Sequence, residues 1–267
     1  VIFCGGLGMR LREFSEAVPK PMVPVGYRPI LWHVMRSYAE HGHKDFVLCL
    51  GYKADAIKNY FLNYDETISN DFVLANGGKT VELLASDIHD WKITFVDTGL
   101  HSNIGERLRL VRPFLEGEET FLANYADGLS DVSIPDMVEF ARAQSAVACF
   151  LGVAPTSSFH LVRADDCGRV QDICHIRDVG MRINGGFFVL RREIFDYLGP
   201  GEDLVEEPFR RLAAEGRLVT YRHDGFWACM DTFKERQLLE DIYSRGQPPW
   251  EKWRRAPRAL AAGGVGE

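Results

Sequence analysis

Short apolar runs alternate with amphipathic stretches of helical period along the first half of the chain, and that alternation leaves few folds open. Residues 1–4, 46–50, 91–96, 120–125 and 146–153 read as buried strands. Between them, residues 29–41, 54–64, 103–112 and 134–143 carry apolar side chains at helical spacing, the first opening on Pro29. Buried strands joined through helices predict a mainly parallel sheet with helices on both faces. Beyond about residue 155 the pattern changes. Short strands are expected over 160–164, 169–173 and 187–190, then a helix over 204–215, a strand over 218–222 and a helix over 233–243. No internal repeat and no linker interrupts the pattern. Residues 1–253 are therefore expected to form one domain with small β elaborations, and the small, polar segment 254–267 a flexible tail. Residue 1 already reads as part of a strand, so a few residues are expected to precede it.

Composition narrows the function. The 267 residues are 46% hydrophobic and 26% charged, which supplies a core and excludes a disordered chain. No apolar run approaches the roughly 20 residues that span a bilayer, so no membrane segment is expected. A net charge of -7 argues against a protein built to bind nucleic acid, but not against a phosphate ligand held by local cations. The six cysteines form no C-x-x-C pair and no zinc-ligand spacing, and Cys4, Cys49 and Cys149 lie in apolar runs. With no signal peptide in view, a reducing cytoplasm is the expectation.

Four segments carry candidate chemistry. The first is Gly5-Gly6-Leu7-Gly8, followed by Arg10 and by Lys20 between Pro19 and Pro21. A strand feeding a glycine-rich loop lets backbone amides approach phosphate oxygens, and the flanking prolines stiffen the segment that aims the lysine. The spacing matches neither the P-loop nor the dinucleotide fingerprint, and a tight turn explains the glycines about as well. The second is Asp127, at the carboxyl end of a mid-sheet strand, where α/β proteins gather their ligands; a plain Asp-Gly turn is the rival. The third is Asp231, for which a helix N-cap is a strong rival. The fourth comprises Asn184-Gly185 and Glu206-Glu207-Pro208, polar groups suited to hydroxyl recognition, which a bulge and a helix start would also explain.

Several longer strings then tie the chain to a family. They are G-G-L-G-x-R at 5–10, P-K-P-M-V at 19–23, P-I-L-W-H at 29–33 and D-F-V-x-C-x-G-Y-K at 45–53. V-D-T-G at 96–99, Y-x-D-G at 125–128, I-N-G-G-F-F-V-L at 183–190, G-F-W-x-x-M-D-T at 225–232 and P-W-x-x-W at 249–253 complete the set. With these the chain resembles the sugar-1-phosphate nucleotidyltransferases, most closely the glucose-1-phosphate cytidylyltransferase branch. The resemblance implies a Rossmann-like nucleotide-binding fold, with residues 1–153 mainly serving the nucleotide and 154–253 mainly the sugar phosphate. It implies a nucleoside triphosphate, with CTP favoured, and a sugar 1-phosphate as substrates, Mg²⁺ as cofactor, and a homo-oligomer of bacterial-type carbohydrate metabolism. On the same basis Lys20 and Arg10 are catalytic, and Asp127 with Asp231 holds the metal. Gly5, Gly6, Leu7, Gly8, Thr98, Gly105 and Arg107 border the nucleotide; Asn184, Gly185 and Glu207 read the sugar.

The departures from the family pattern are specific. Met9 stands where relatives carry threonine, Glu106 replaces the middle glycine of G-G-R, and Ala126 replaces the glycine of Y-G-D-G. The E-K-P segment whose lysine grips the sugar phosphate becomes Cys174-His175-Ile176-Arg177-Asp178, and F-G-A-L becomes Phe159-His160-Leu161-Val162. Arg177 is the candidate substitute cation, with a solvated hairpin turn as its rival reading. Retention of Lys20, Arg10 and both aspartates points to an enzyme. Loss of the lysine leaves open a paralogue that binds nucleotide or sugar phosphate with little catalysis, as a partner or regulatory subunit. A glycosyltransferase lacks support, because no D-x-D stands at the strand end.

Overall fold

The structure, a computed structural model, describes residues 1–6, 18–156 and 159–253. Its centre is a seven-stranded sheet. In chain order the strands are β1 (Ile2–Phe3), β2 (Asp45–Leu50), β3 (Lys92–Asp97), β4 (Thr120–Tyr125), β5 (Ala148–Val153), β6 (Ile183–Arg191) and β7 (Leu218–His223). Their order in space is β3-β2-β1-β4-β6-β5-β7. All run parallel except β6, which lies antiparallel between β4 and β5. The helices are α1 (Ile30–Ala39), α2 (Ala54–Leu62), α3 (Ile104–Val111), α4 (Ile134–Ala143), α5 (Glu207–Ala214) and α6 (Phe233–Ser244).

The two-residue period of the strands builds two cores. Ile2, Leu48, Phe187 and Val189 enter one apolar layer with side chains of α1, α2, α4 and α6. Their neighbours Phe3, Val47, Cys49, Phe188 and Leu190 enter the other, with side chains of α3 and α5. Successive residues of a strand face opposite ways, so apolar runs without alternation are what a sheet covered on both sides requires. Local chemistry sets the helix starts. The Asn103 side chain accepts from Glu106 N at 2.9 Å to open α3, and the Ser133 hydroxyl accepts from Asp136 N to open α4, with Pro135 in the first turn.

Sequence and structure agree to the residue on β4, α4 and the strand His160–Ala164, and elsewhere ends shift. The helix expected over 204–215 begins only at Glu207, because Glu206 has φ -99° and ψ -98° and Pro208 takes the first turn. The strand expected over 187–190 extends back to Ile183, so the two glycines of I-N-G-G lie within the sheet. Beyond the short pairing of Pro24–Val25 with Arg28–Pro29, two pairings had no place in the sequence reading. One is the exposed hairpin of Phe72–Ala75 and Thr80–Leu83, turned through Asn76-Gly77-Gly78, all three at positive φ. The other joins Gly128–Ser130 to Trp227–Cys229, and it builds the site. All six cysteines are free thiols, with Cys4, Cys49 and Cys149 buried. No helix of the described residues is long and apolar enough to cross a membrane. The expected tail, 254–267, lies outside the described residues.

Candidate active site

Between β1 and β4 the direction of sheet growth reverses, and α/β sheets open a crevice beyond the carboxyl ends of strands at such a point. Here a cleft of about 430 Å³ occupies that position, lined by Gly5, Gly6, Lys20, Arg107, Asp127 and Asp231 among others. Asp127 follows β4. Asp231 follows Trp227–Cys229, which pairs antiparallel with Gly128–Ser130 so that Cys229 faces Gly128. The Met230 amide donates to the Asp127 carbonyl at 2.9 Å. This short ladder sets the two aspartates side by side.

Lys20 opens a 3-10 turn, Lys20–Met22, after extended Pro19 and before buried Pro21, and its ammonium donates to both Asp127 Oδ2 and Asp231 Oδ1. Burial alone would pull its pKa down. The two carboxylates outweigh that, Asp127 most, and the net shift is upward, so the group stays charged at neutral pH. Asp231 is not the helix cap that its position allowed. Thr232 caps α6: its hydroxyl accepts from Glu235 N at 3.3 Å, while Glu235 Oε2 accepts from Thr232 N and Asp231 N, each at 2.8 Å. The Asp231 carboxylate thereby stays available to Lys20.

The base-side candidates form a buried network of their own. Arg107, 3% exposed, donates to Leu50 O at 3.0 Å, Thr98 Oγ1 at 2.6 Å and Gly5 O at 3.0 Å. One guanidinium thus ties together the carboxyl ends of β1, β2 and β3, and its desolvation lowers its pKa. Thr98 in turn donates its hydroxyl to Leu50 O at 2.7 Å. Gly105 lets α3 approach the loop before α5, since a Cβ there would stand 2.2 Å from Glu202 O. Arg107 lines the cleft while two of its three hydrogen bonds serve the backbone; Thr98 and Gly105 are not among the residues that line it.

Gly5 has a definite reason to be glycine. A Cβ on it would lie 1.9 Å from Arg107 Nη1, whereas one on Gly6 would meet nothing within 4 Å among the described residues. Gly5→Ala is accordingly expected to destabilise the protein by about 1–3 kcal/mol through overpacking, while Gly6→Ala leaves stability nearly unchanged. Thermal unfolding of the two variants checks the difference.

On the other side of β4, Asn184 Oδ1 accepts from Gly186 N at 2.9 Å. Gly185 O accepts from Trp227 Nε1 at 2.8 Å. Gly186, at φ +80°, leaves room for the Tyr125 ring, which a Cβ would approach to 2.4 Å. Glu207 opens α5, partly exposed. Arg177 lies apart from the residues lining the cleft. It sits in the 3-10 turn Ile176–Val179, with Nε donating to Pro155 O at 3.0 Å and Nη2 to Thr156 O at 3.4 Å. Tyr125, marked in the sequence only as the start of Y-x-D-G, also lines the cleft, as do Ser102, Asn103 and Asp203, which were not singled out; of these three only Asn103, as a helix start, carried any local signal. Leu7, Gly8, Met9 and Arg10 lie outside the described residues.

An open α/β sheet with a lysine and two aspartates at its switch point has a charged ligand-binding cleft where such folds place one. Residues 1–240 match the family model for nucleotidyl transferases, and the chain belongs to that family. Glucose-1-phosphate cytidylyltransferase of Salmonella typhimurium is 38% identical over 256 residues, covering 95% of this chain and 98% of that protein. Its counterpart from Salmonella typhi is 38% identical over 255 residues, with the same coverage of 95% and 98%. Among solved structures, HddC from Yersinia pseudotuberculosis is similar with a TM-score of 0.64 and 17% identity, covering 91% of this chain and 97% of the other. At that identity the likeness shows the fold alone.

Proposed function

We propose that this chain joins CTP to glucose 1-phosphate, or a close analogue, giving the CDP-sugar and pyrophosphate. The observation that carries this reading is identity of 38% to glucose-1-phosphate cytidylyltransferase along nearly the whole length of both proteins. The cleft supports it. A phosphate monoester has its second pKa near ~6, so the attacking oxygen is already an anion at neutral pH and needs no general base. The barrier lies in bringing two polyanions together and in stabilising the departing pyrophosphate, which calls for positioning and fixed charge. Lys20 supplies that charge at the α-phosphate, the amides of Gly5 and Gly6 approach the phosphate chain, and Arg10 completes the set from the glycine loop. Asn184, Gly185 and Glu207 read sugar hydroxyls.

The donor set fits Mg²⁺. Among the described residues no group of three or more His, Cys, Asp or Glu side chains forms a metal cage, but Asp127 and Asp231 suit an ion that takes one or two carboxylates and fills its shell with water and substrate phosphates. Bound there, Mg²⁺ neutralises phosphate charge as the leaving group departs. A reducing cytoplasm and homo-oligomeric assembly belong to the same reading: the thiols are free, and an oligomer would cover exposed apolar side chains such as Phe72, Leu74 and Val81.

The sugar phosphate still requires a cation, because an unpaired charge in a partly dry site is costly. Arg177 does not stand where it could supply it: its guanidinium lies apart from the cleft and donates to Pro155 O and Thr156 O, so Arg177→Ala is expected to leave the KM for sugar 1-phosphate and CTP binding unchanged. Steady-state kinetics with each substrate varied in turn gives the answer, and a raised KM for sugar 1-phosphate would restore Arg177 to the role. The function itself is tested by incubating the protein with Mg²⁺, each of the four nucleoside triphosphates and a panel of hexose 1-phosphates. Mass spectrometry is expected to find CDP-glucose as the main product, whereas nucleotide binding without any NDP-sugar would favour the regulatory paralogue.

A further inference from the structure

The Lys20 ammonium bonds the same pair of carboxylates that the proposed metal would take. It is mostly withdrawn from solvent, with a side chain 14% exposed against 23% for Asp127 and 34% for Asp231. Its backbone is held in place, leaving any movement to the side chain: Pro19 and Pro21 flank it, and the turn is closed by Met22 N to Pro19 O at 2.8 Å and Val23 N to Lys20 O at 3.1 Å. An ammonium and a divalent cation cannot share these oxygens at ligand distance without strong repulsion. Two carboxylates already neutralised in part by a lysine also make a poor site for an ion that dehydrates reluctantly.

We infer that Lys20 is a resident counter-cation, and that a divalent ion enters only together with the nucleotide, as the metal–triphosphate complex. The triphosphate does two things at once. Its phosphate oxygens give Lys20 a new anionic partner and draw it off the aspartates, and they supply metal ligands beyond the two that the described residues offer. Nucleotide and metal therefore bind with positive coupling, and the free protein discriminates against the bare ion. This rests on the reading of Asp127 and Asp231 as metal ligands, and goes beyond it in assigning Lys20 a role before any chemistry occurs.

Mn²⁺ binding, followed by electron paramagnetic resonance on the free full-length protein, tests the inference without turnover. Lys20→Met is expected to bind Mn²⁺ about tenfold or more tightly than wild type in the absence of nucleotide, a size typical of coupled sites. Its thermal midpoint should rise with Mn²⁺ alone, while that of the wild type responds only when CTP is also present. In the wild type, CTP should raise protein-bound Mn²⁺ beyond what CTP binds in solution. Equal Mn²⁺ affinity in wild type and Lys20→Met, or tight binding of Mn²⁺ by the wild type without nucleotide, overturns the exchange. Adding Asp127→Asn to Lys20→Met separates the two readings. Loss of the gained affinity places the ion on the aspartates and supports the inference, whereas a gain that survives removes Asp127 from the metal site and overturns both.

Discussion

Asp127→Asn and Asp231→Asn are each expected to abolish pyrophosphate release from CTP and glucose 1-phosphate, by about 10³-fold or more, with the fold intact. Stabilisation of transition-state charge by a metal amounts to several kcal/mol, and each 1.36 kcal/mol is about tenfold in rate. An amide keeps the size of the carboxylate but cannot neutralise a divalent ion. Folding should survive because Lys20 retains one carboxylate in either variant and the ladder of Gly128–Ser130 with Trp227–Cys229 does not involve the side chains. Circular dichroism and thermal unfolding establish the fold, and a coupled phosphate assay the rate. Turnover near wild type in either variant would remove that residue from the metal site.

Lys20→Ala should lower turnover by about 10²–10³-fold, the size of effect seen when one group stabilising transition-state charge is removed, while CTP affinity falls far less. Negative charge on the phosphates shifts as the pyrophosphate leaves, so a fixed cation contributes more in the transition state than in the bound complex. Equilibrium binding of CTP and steady-state turnover, measured on the same preparation, separate the two. A loss of affinity with turnover intact would mean that Lys20 binds substrate and transition state equally.

Much of the fold could be read from the chain because its strands are buried on both faces. Unbroken apolar runs such as 46–50 and 146–153 have few alternatives once helical stretches stand between them. The exposed hairpin at Phe72–Leu83 escaped because its strands bury little and only Asn76-Gly77-Gly78 announces a turn. Site legibility followed a similar divide. Lys20 between prolines and Asp127 at a strand end are local signals, and the structure brings both together with Asp231. What brings Asp231 there is non-local: a three-residue ladder with no pattern of its own. Arg107 shows the converse. Its sequence position suggested the nucleotide, but its main partners are the ends of three strands, a packing fact that no spacing records. Arg177 was chosen for its charge and place in the chain, and the structure spends its guanidinium on the backbone of Pro155 and Thr156.

The most direct measurement of the central claim is pyrophosphate release on mixing the wild-type protein with Mg²⁺, CTP and glucose 1-phosphate, repeated with each component left out in turn. The account predicts release only when all are present, with CTP turned over faster than UTP, GTP or ATP. No release with any of the four triphosphates and any hexose 1-phosphate, from a protein that binds CTP, would contradict it.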